Sequence, residues 1–260
     1  MIDTACFKLD SVSSGYGAHK VIKHLSLEIP NNQITTLIGP NGCGKSTLLK
    51  TICGLLPFDG DISFNGTSLN SVPRRQRAQE LTMLPQAPIA PDGLTVAQLV
   101  GRGRHPYQNW FSQWSAADEV AVREAMEMTD TLKLANEPVN SLSGGQRQRV
   151  WISMVMAQDT NVLLLDEPTT YLDLARSVEI LDLVRKLHEV QNKTIIMVLH
   201  DLNLAARISD QLVALHPDAS IAATGTAYEV LQEDLLQDVF GLRAKVDISP
   251  TTGDPLVIPR

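Results

Sequence analysis

"GPNGCGKST", residues 39–47, fills every fixed position of the phosphate-binding pattern G-x-x-x-x-G-K-[ST]. The preceding "QITTLI" is rich in β-branched and aliphatic residues and reads as a buried strand, while "KSTLLKTIC" reads as a helix. Strand, glycine-rich turn and helix in that order make an anion cradle, because successive backbone N–H groups and a helix N-terminus point at one place. In the turn of Gly39, Pro40, Asn41, Gly42, Cys43 and Gly44, the residues Gly42 and Gly44 let the backbone close around phosphate oxygens. Lys45 is placed to reach the β- and γ-phosphates, the Ser46 hydroxyl to ligate Mg²⁺, and Thr47 completes the motif. Leu48, Leu49 and Ile52 anchor the helix in the core, and Gly54 ends it.

Further along the chain, short apolar runs alternate with helical patterns: "NVLLLDEP" precedes "RSVEILDLVRKLHEV", and "KTIIMVLHD" precedes "LNLAARISD". That alternation predicts an α/β fold with a mainly parallel sheet buried on both faces. Between about residues 87 and 158 the strand signals fade and helical ones dominate. The expected organisation is an α/β core of 1–86 and 159–260 with a helical subdomain, 87–158, inserted in it. In "SAADEVAVREAMEMTDTLKL" Val120, Ala121, Ala125, Met128 and Leu132 stand at near-helical spacing, and "APIAPDG" and "RGRHPYQNWFSQWS" read as loops around the subdomain's first helix. The tail "DISPTTGDPLVIPR" reads as a closing loop and strand.

"NVLLLDEP", residues 161–168, ends in two carboxylates where a buried parallel strand meets a ligand crevice. Successive strand residues face opposite ways, so Asp166 is expected to face Mg²⁺ and Glu167 the γ-phosphate with its attacking water. His200 closes the apolar run "TIIMVL" beside Asp201, and is either a γ-phosphate contact or a strand-to-helix cap. Gln86 in "LPQ" is either a polar contact to Mg²⁺ or water, or a loop residue; Tyr16 in "GYG" either stacks on adenine or is likewise a loop residue. A second glycine-rich helix start lies in "LSGGQRQRV", residues 142–150. There Ser143 is a plausible N-cap, Gly144 and Gly145 bare the first backbone N–H groups, and no lysine of the phosphate-loop kind follows Gln146. Such an end suits the γ-phosphate of a nucleotide held elsewhere.

Composition narrows the alternatives. The chain has 260 residues, 22 Lys plus Arg against 29 Asp plus Glu, and a net charge of −7, which speaks against a bulk nucleic-acid surface. Three cysteines without CxxC spacing suggest reduced thiols and a cytoplasmic setting. No stretch approaches the roughly 18 apolar residues of a membrane span, and "MIDTACFKLDSV" carries charges where a signal peptide needs an apolar run, so any membrane role is expected to be peripheral.

Taken together, these residues resemble the nucleotide-binding subunit of an ABC transporter. Residues 39–47 resemble that family's Walker A, Val162 to Glu167 its Walker B, and "LSGGQ" its signature motif; Gln86, Tyr171 to Asp173, His200 and Tyr16 fall where its Q-, D-, H- and A-loops fall. The resemblance covers essentially the whole chain. It implies a P-loop NTPase of the α/β class with a mainly parallel core sheet, an antiparallel N-terminal β part and an inserted helical subdomain. It also implies ATP and Mg²⁺ as cofactors, and a head-to-tail pair of copies in which Ser143, Gly144, Gly145 and Gln146 close over ATP on the other copy. Glu167 would be the general base, His200 the γ-phosphate sensor, Gln86 the link from Mg²⁺ to the helical subdomain, and Asp173 a relay across the dimer. The implied partners are integral membrane permease subunits and, through them, a periplasmic or extracellular binding protein, with no nucleic acid and a place on the cytoplasmic face of the inner membrane. The groove near Gln86 and the loop 102–114 would dock a short permease helix, unless that loop merely folds over the surface.

"GPNGCGKST", "EPTTYLD", "VLHDLN" and "EDLLQDVFGL" most resemble import ATPases for ferric citrate and ferric siderophores, near the vitamin B12 group. Two departures stand out: "LDLARS" where many such importers carry a His-Gln pair, and Asp92-Gly93 before "LTV". The scattered histidines and unclustered cysteines imply that the subunit does not itself bind iron. The alternatives are an importer ATPase for vitamin B12 or another ligand, and a soluble ABC-type ATPase of DNA repair or translation. Against the latter, only about 100 residues separate the two glycine-rich motifs, too few for a long coiled coil. An ATP-switched module without hydrolysis is disfavoured by the presence of both Glu167 and His200.

Overall fold

A computed structural model describes residues 5–108 and 114–260. The chain divides into two compact units, one formed by Met1–Val72 with His188–Arg260 and the other by Pro73–Leu187. In chain order the first unit supplies β1 (Ala5–Tyr16), β2 (His19–Pro30), β3 (Ile34–Ile38), α1 (Lys45–Ile52), β4 (Phe58–Phe64) and β5 (Thr67–Ser68). The second unit carries α2 (Arg74–Glu80), β6 (Leu81–Leu84), α3 (Val96–Gly101), α4 (Ala116–Met128), α5 (Gly144–Ala157) and β7 (Val162–Asp166), and ends within α6 (Leu174–Gln191). The chain then returns to the first unit with β8 (Thr194–Val198), α7 (Leu202–Ile208), β9 (Gln211–Leu215), β10 (Ile221–Gly225), α8 (Ala227–Val230), α9 (Glu233–Phe240), β11 (Ala244–Ile248) and β12 (Pro255–Pro259).

The first unit holds two main sheets. An antiparallel sheet runs in the order β2-β1-β4-β5, with Phe7 and Phe64 stacked at 5.0 Å between ring centres. In the other, β3 lies between β8 and β9, parallel to both, and β10 adds to β9 antiparallel. All five residues of β3, "ITTLI", are buried, as a central strand covered on both faces requires. Leu48, Leu49 and Ile52 of α1 are fully buried, and Thr51 ties the helix to β1 by donating to Ser14 Oγ at 2.9 Å. The tail forms a hairpin of two strands, β11 and β12, where one strand was expected. Asn203 of α7 explains its place: its amide donates to the Val257 carbonyl at 3.2 Å and accepts from the Val257 amide at 2.7 Å, as a neighbouring strand would.

In the second unit β6 and β7 pair in parallel, and α3, α4 and α5 each begin with a capping box. The near-helical spacing falls on α4, whose buried face is Asp118, Val122, Ala125 and Met126; Val120 is 52% exposed and Leu132, beyond the helix, 36%. The helix is turned by an ion pair. Arg104 donates to Asp118 at 2.8 Å and to the Ala157 carbonyl at 2.7 Å, with its guanidinium 3.9 Å from the Tyr107 ring centre. Burial alone raises the Asp118 carboxyl, but the Arg104 and Ser115 hydrogen bonds overturn this and hold it below its usual range.

Replacing Arg104 with Ala leaves that carboxylate buried without its partner, and is expected to cost about 3–5 kcal/mol in urea unfolding. Because the folded pKa of Asp118 is depressed, the pair's contribution is full above the unfolded carboxylate value and fades as pH falls through the folded one. The stability gap between wild type and Arg104→Ala therefore narrows in acid.

Candidate functional site

The sequence-predicted residues fall into two groups, one in each unit. In the first unit the phosphate loop leaves the carboxyl end of β3 and enters α1. A side chain at Gly39 would put its Cβ 2.7 Å from the Leu215 carbonyl oxygen, and Gly44 takes φ +106°, a conformation that a Cβ makes costly. These two positions explain why the loop needs glycine. The Lys45 ammonium is 5% exposed and donates to the carbonyls of Gly39 and Pro40, both at 2.9 Å. Burial pushes the neighbouring Cys43 thiol up, with the Lys45 charge opposing it. All three cysteines are buried thiols outside any disulfide.

Strand register brings His200 to the same edge as the loop. Leu37 of β3 lies opposite Val198 of β8, and the Leu199 amide donates to the Leu37 carbonyl at 3.4 Å, so Gly39 and His200 leave adjacent parallel strands at one level. Of the two readings open for His200, the helix cap belongs instead to Asp201, whose carboxylate accepts from the Asn203 and Leu204 amides at 2.9 Å. His200 itself is exposed. Tyr16, at the end of β1, is 49% exposed and receives Lys50 Nζ on its hydroxyl at 3.3 Å. Its ring is thus tethered at the rim with a large apolar surface in solvent.

In the second unit the register Leu84 to Leu165 carries on past both strand ends to Gln86 and Glu167, whose side chains meet. Gln86 Nε2 donates to Glu167 Oε2 at 2.5 Å, and Thr170 Oγ donates to the same oxygen at 2.8 Å. Asp166 ends β7 at 2% exposure. Strand alternation, on which the expected division between the two carboxylates rests, does not reach Glu167: it lies beyond the strand with φ +53°, a left-handed turn residue, and is 8% exposed. Strain of this kind costs about 1–3 kcal/mol and persists where surrounding structure fixes it. Asp173 accepts from the Arg176 amide at 2.9 Å and so caps α6, while the preceding Tyr171 is 93% exposed. Sequence reading passed over Thr170; the signal for it was a hydroxyl three residues after the glutamate, at the spacing of one turn.

The second glycine-rich stretch begins α5 with a reciprocal cap. Ser143 Oγ accepts from the Gln146 amide at 3.3 Å, and Gln146 Oε1 accepts from the Ser143 amide at 3.0 Å. Nothing stands within 4 Å of where a Gly144 Cβ would lie, and Gly145 meets only Arg176 carbons at 3.6 Å and its Nε at 4.0 Å, so an anion can approach this helix start closely. Elsewhere in this unit a groove of about 520 Å³ is lined by residues including Leu94, Ala97, Gly101, Arg102, His105 and Trp114. Of the loop 102–114 expected to dock a permease helix, residues 109–113 lie outside the described residues.

Comparison with known proteins places these motifs in a wider set. The sequence pattern of the ABC transporter family matches residues 22–170. An achromobactin transport ATP-binding protein of Dickeya dadantii is 51% identical over 246 residues, covering 94% of this chain and 91% of the relative. A probable siderophore transport system ATP-binding protein of Bacillus subtilis is 50% identical over 251 residues, covering 96% of this chain and 91% of the relative. Among solved structures, an inward-facing putative metal-chelate type ABC transporter superposes with a TM-score of 0.85 at 26% identity, over 99% of this chain and 98% of the other.

Proposed function

This chain belongs to the ABC transporter family, and from that premise we propose that it is the ATP-hydrolysing subunit that drives import of a ferric siderophore or related ferric complex through a membrane permease. The observation that carries the substrate class is half-identity, across 94–96% of the chain, with a probable siderophore transport system ATP-binding protein and an achromobactin transport ATP-binding protein. It favours a ferric complex over vitamin B12. Placement on the cytoplasmic face of the inner membrane is supported by the family, and among the described residues no helix is long and apolar enough to cross a membrane. The permease is the direct partner in this reading, and an external binding protein acts through it.

The residues divide the chemistry. The backbone of the 39–47 loop and the Lys45 ammonium bind the β- and γ-phosphates, and the tethered Tyr16 ring offers its face to adenine. Ser46, Asp166 and Gln86 present hydroxyl, carboxylate and amide oxygen, the hard donors that suit Mg²⁺; Gln86 gives Nε2 to Glu167 and so keeps its carbonyl oxygen as an acceptor. Bound Mg²⁺ would neutralise charge on the β- and γ-oxygens. Glu167 takes the proton of the attacking water as the water oxygen bonds to the γ-phosphorus. The bond from that phosphorus to the bridging oxygen breaks, and its electron pair leaves with ADP. His200 contacts the γ-phosphate at the edge it shares with the loop. Ser143, Gly144, Gly145 and Gln146 serve ATP bound to a second copy, and Asp173 relays between copies; support comes from a helix start that is open to an anion yet has no phosphate-loop lysine.

Glu167→Gln keeps the side chain's shape and removes the base, so turnover is expected to fall by about 10² to 10⁴ with ATP binding retained. Steady-state hydrolysis and nucleotide titration of the purified chain check this, and wild-type turnover would remove Glu167 from the mechanism. The same variant is expected to dimerise with ATP and return to monomer without it when followed by sizing. A monomer in every nucleotide condition would count against the shared site. In iron-starved cells, uptake of labelled ferric citrate and a panel of ferric siderophores is expected to fail with Glu167→Gln for the cognate complex; undiminished uptake of all of them would remove the iron assignment.

A further inference from the structure

Glu167 Oε2 accepts two hydrogen bonds, and the donors differ in where they are mounted. Gln86 stands in the loop after β6, about 80 residues away in sequence, and its amide is also wanted for Mg²⁺ in the reading above. Thr170 stands three residues after Glu167 on the same turn, closed by a 3.2 Å bond from the Thr170 amide to the Glu167 carbonyl. Its hydroxyl reaches Oε2 at 2.8 Å. The Thr170 donor is therefore tied to the glutamate's own turn, and the Gln86 donor is not.

We propose that Thr170 is a positioning residue for hydrolysis: its hydroxyl fixes the Glu167 carboxylate on the left-handed turn in the orientation from which it takes the water's proton. The inference rests on Glu167 being the base. The physical need is plain. A glutamate carries three side-chain torsions, and freezing them costs conformational entropy that some contact has to offset. A hydroxyl has a single proton to donate, and here that proton is committed to the carboxylate. Glu167 lies one residue beyond the end of β7 at φ +53°, so the regular pairing of the strand does not extend to it. A local donor does. Thr170 is half-buried, which keeps water from competing fully for the same oxygen.

The test uses the full chain with Thr170→Val, which keeps the shape and removes the donor, and Thr170→Ser, which keeps the donor. A hydrogen bond to a charged group lost from the transition state corresponds to a fall in kcat of about 10- to 100-fold. Thr170→Val is expected to show that fall with KM and Kd for ATP within about twofold of wild type, and Thr170→Ser to restore most of the rate. Thr170→Ala supplies the same comparison if valine disturbs folding. In a Glu167→Gln background, Thr170→Val is expected to cause no further loss, because the two groups act as one unit. Wild-type kcat in Thr170→Val, equal loss in the valine and serine variants, or independent losses in the double variant would each overturn the inference. Wild-type hydrolysis by Glu167→Gln alone would instead overturn the base assignment, so the two failures read differently.

Discussion

A strand buried on both faces has to spend all its backbone polar groups on its neighbours, and in this protein that constraint puts the chemistry where the strands stop. β3 is buried along its whole length and gives way to the phosphate loop; β8, equally buried, gives way to His200. In the second unit β6 gives way to Gln86, and β7 to Asp166 at its last residue and Glu167 just beyond it. Parallel pairing then does the aligning. Because β3 and β8 run in the same direction and in register, their carboxyl ends come level, and the same holds for β6 and β7.

That dependence decides how much was legible in the sequence. A motif whose residues are fixed by backbone geometry is readable without a structure, and Gly39 and Gly44 are such residues: a carbonyl 2.7 Å from the missing Cβ in one case, φ +106° in the other. The cap at Ser143 is readable for a similar reason, since serine followed three residues later by glutamine satisfies two amides locally. What was not legible depends on partners far apart in the chain. The rotation of α4 follows from Arg104 drawing Asp118 inward, and periodicity has no way to weigh a buried ion pair against an apolar stripe. The left-handed turn at Glu167 was equally invisible, because strand alternation assumes a strand and β7 ends one residue sooner.

The two glycine-rich helix starts of this chain solve one electrostatic problem in different ways. At α1 a lysine lies within the loop and is 5% exposed; at α5 the cap is neutral, a serine and a glutamine bonded to each other. A helix N-terminus carries roughly half a positive charge. Alone that suits one face of an anion, and with Lys45 it suits a polyphosphate. The pair of motifs therefore differs in strength by design of charge, which fits one site that holds the nucleotide and another that closes over it.

The contacts of Lys45 show how the loop holds its own shape. Its ammonium donates to the neutral carbonyls of Gly39 and Pro40, which draws the loop around its own lysine. A phosphate oxygen is a charged acceptor, and charge-assisted hydrogen bonds are about twice as strong as neutral ones. A lysine that holds its loop through neutral acceptors therefore has stronger ones to gain where a phosphate is bound, as the proposed function has it. A loop already organised around Lys45 has little conformational entropy left to lose, which lowers the cost of any binding there.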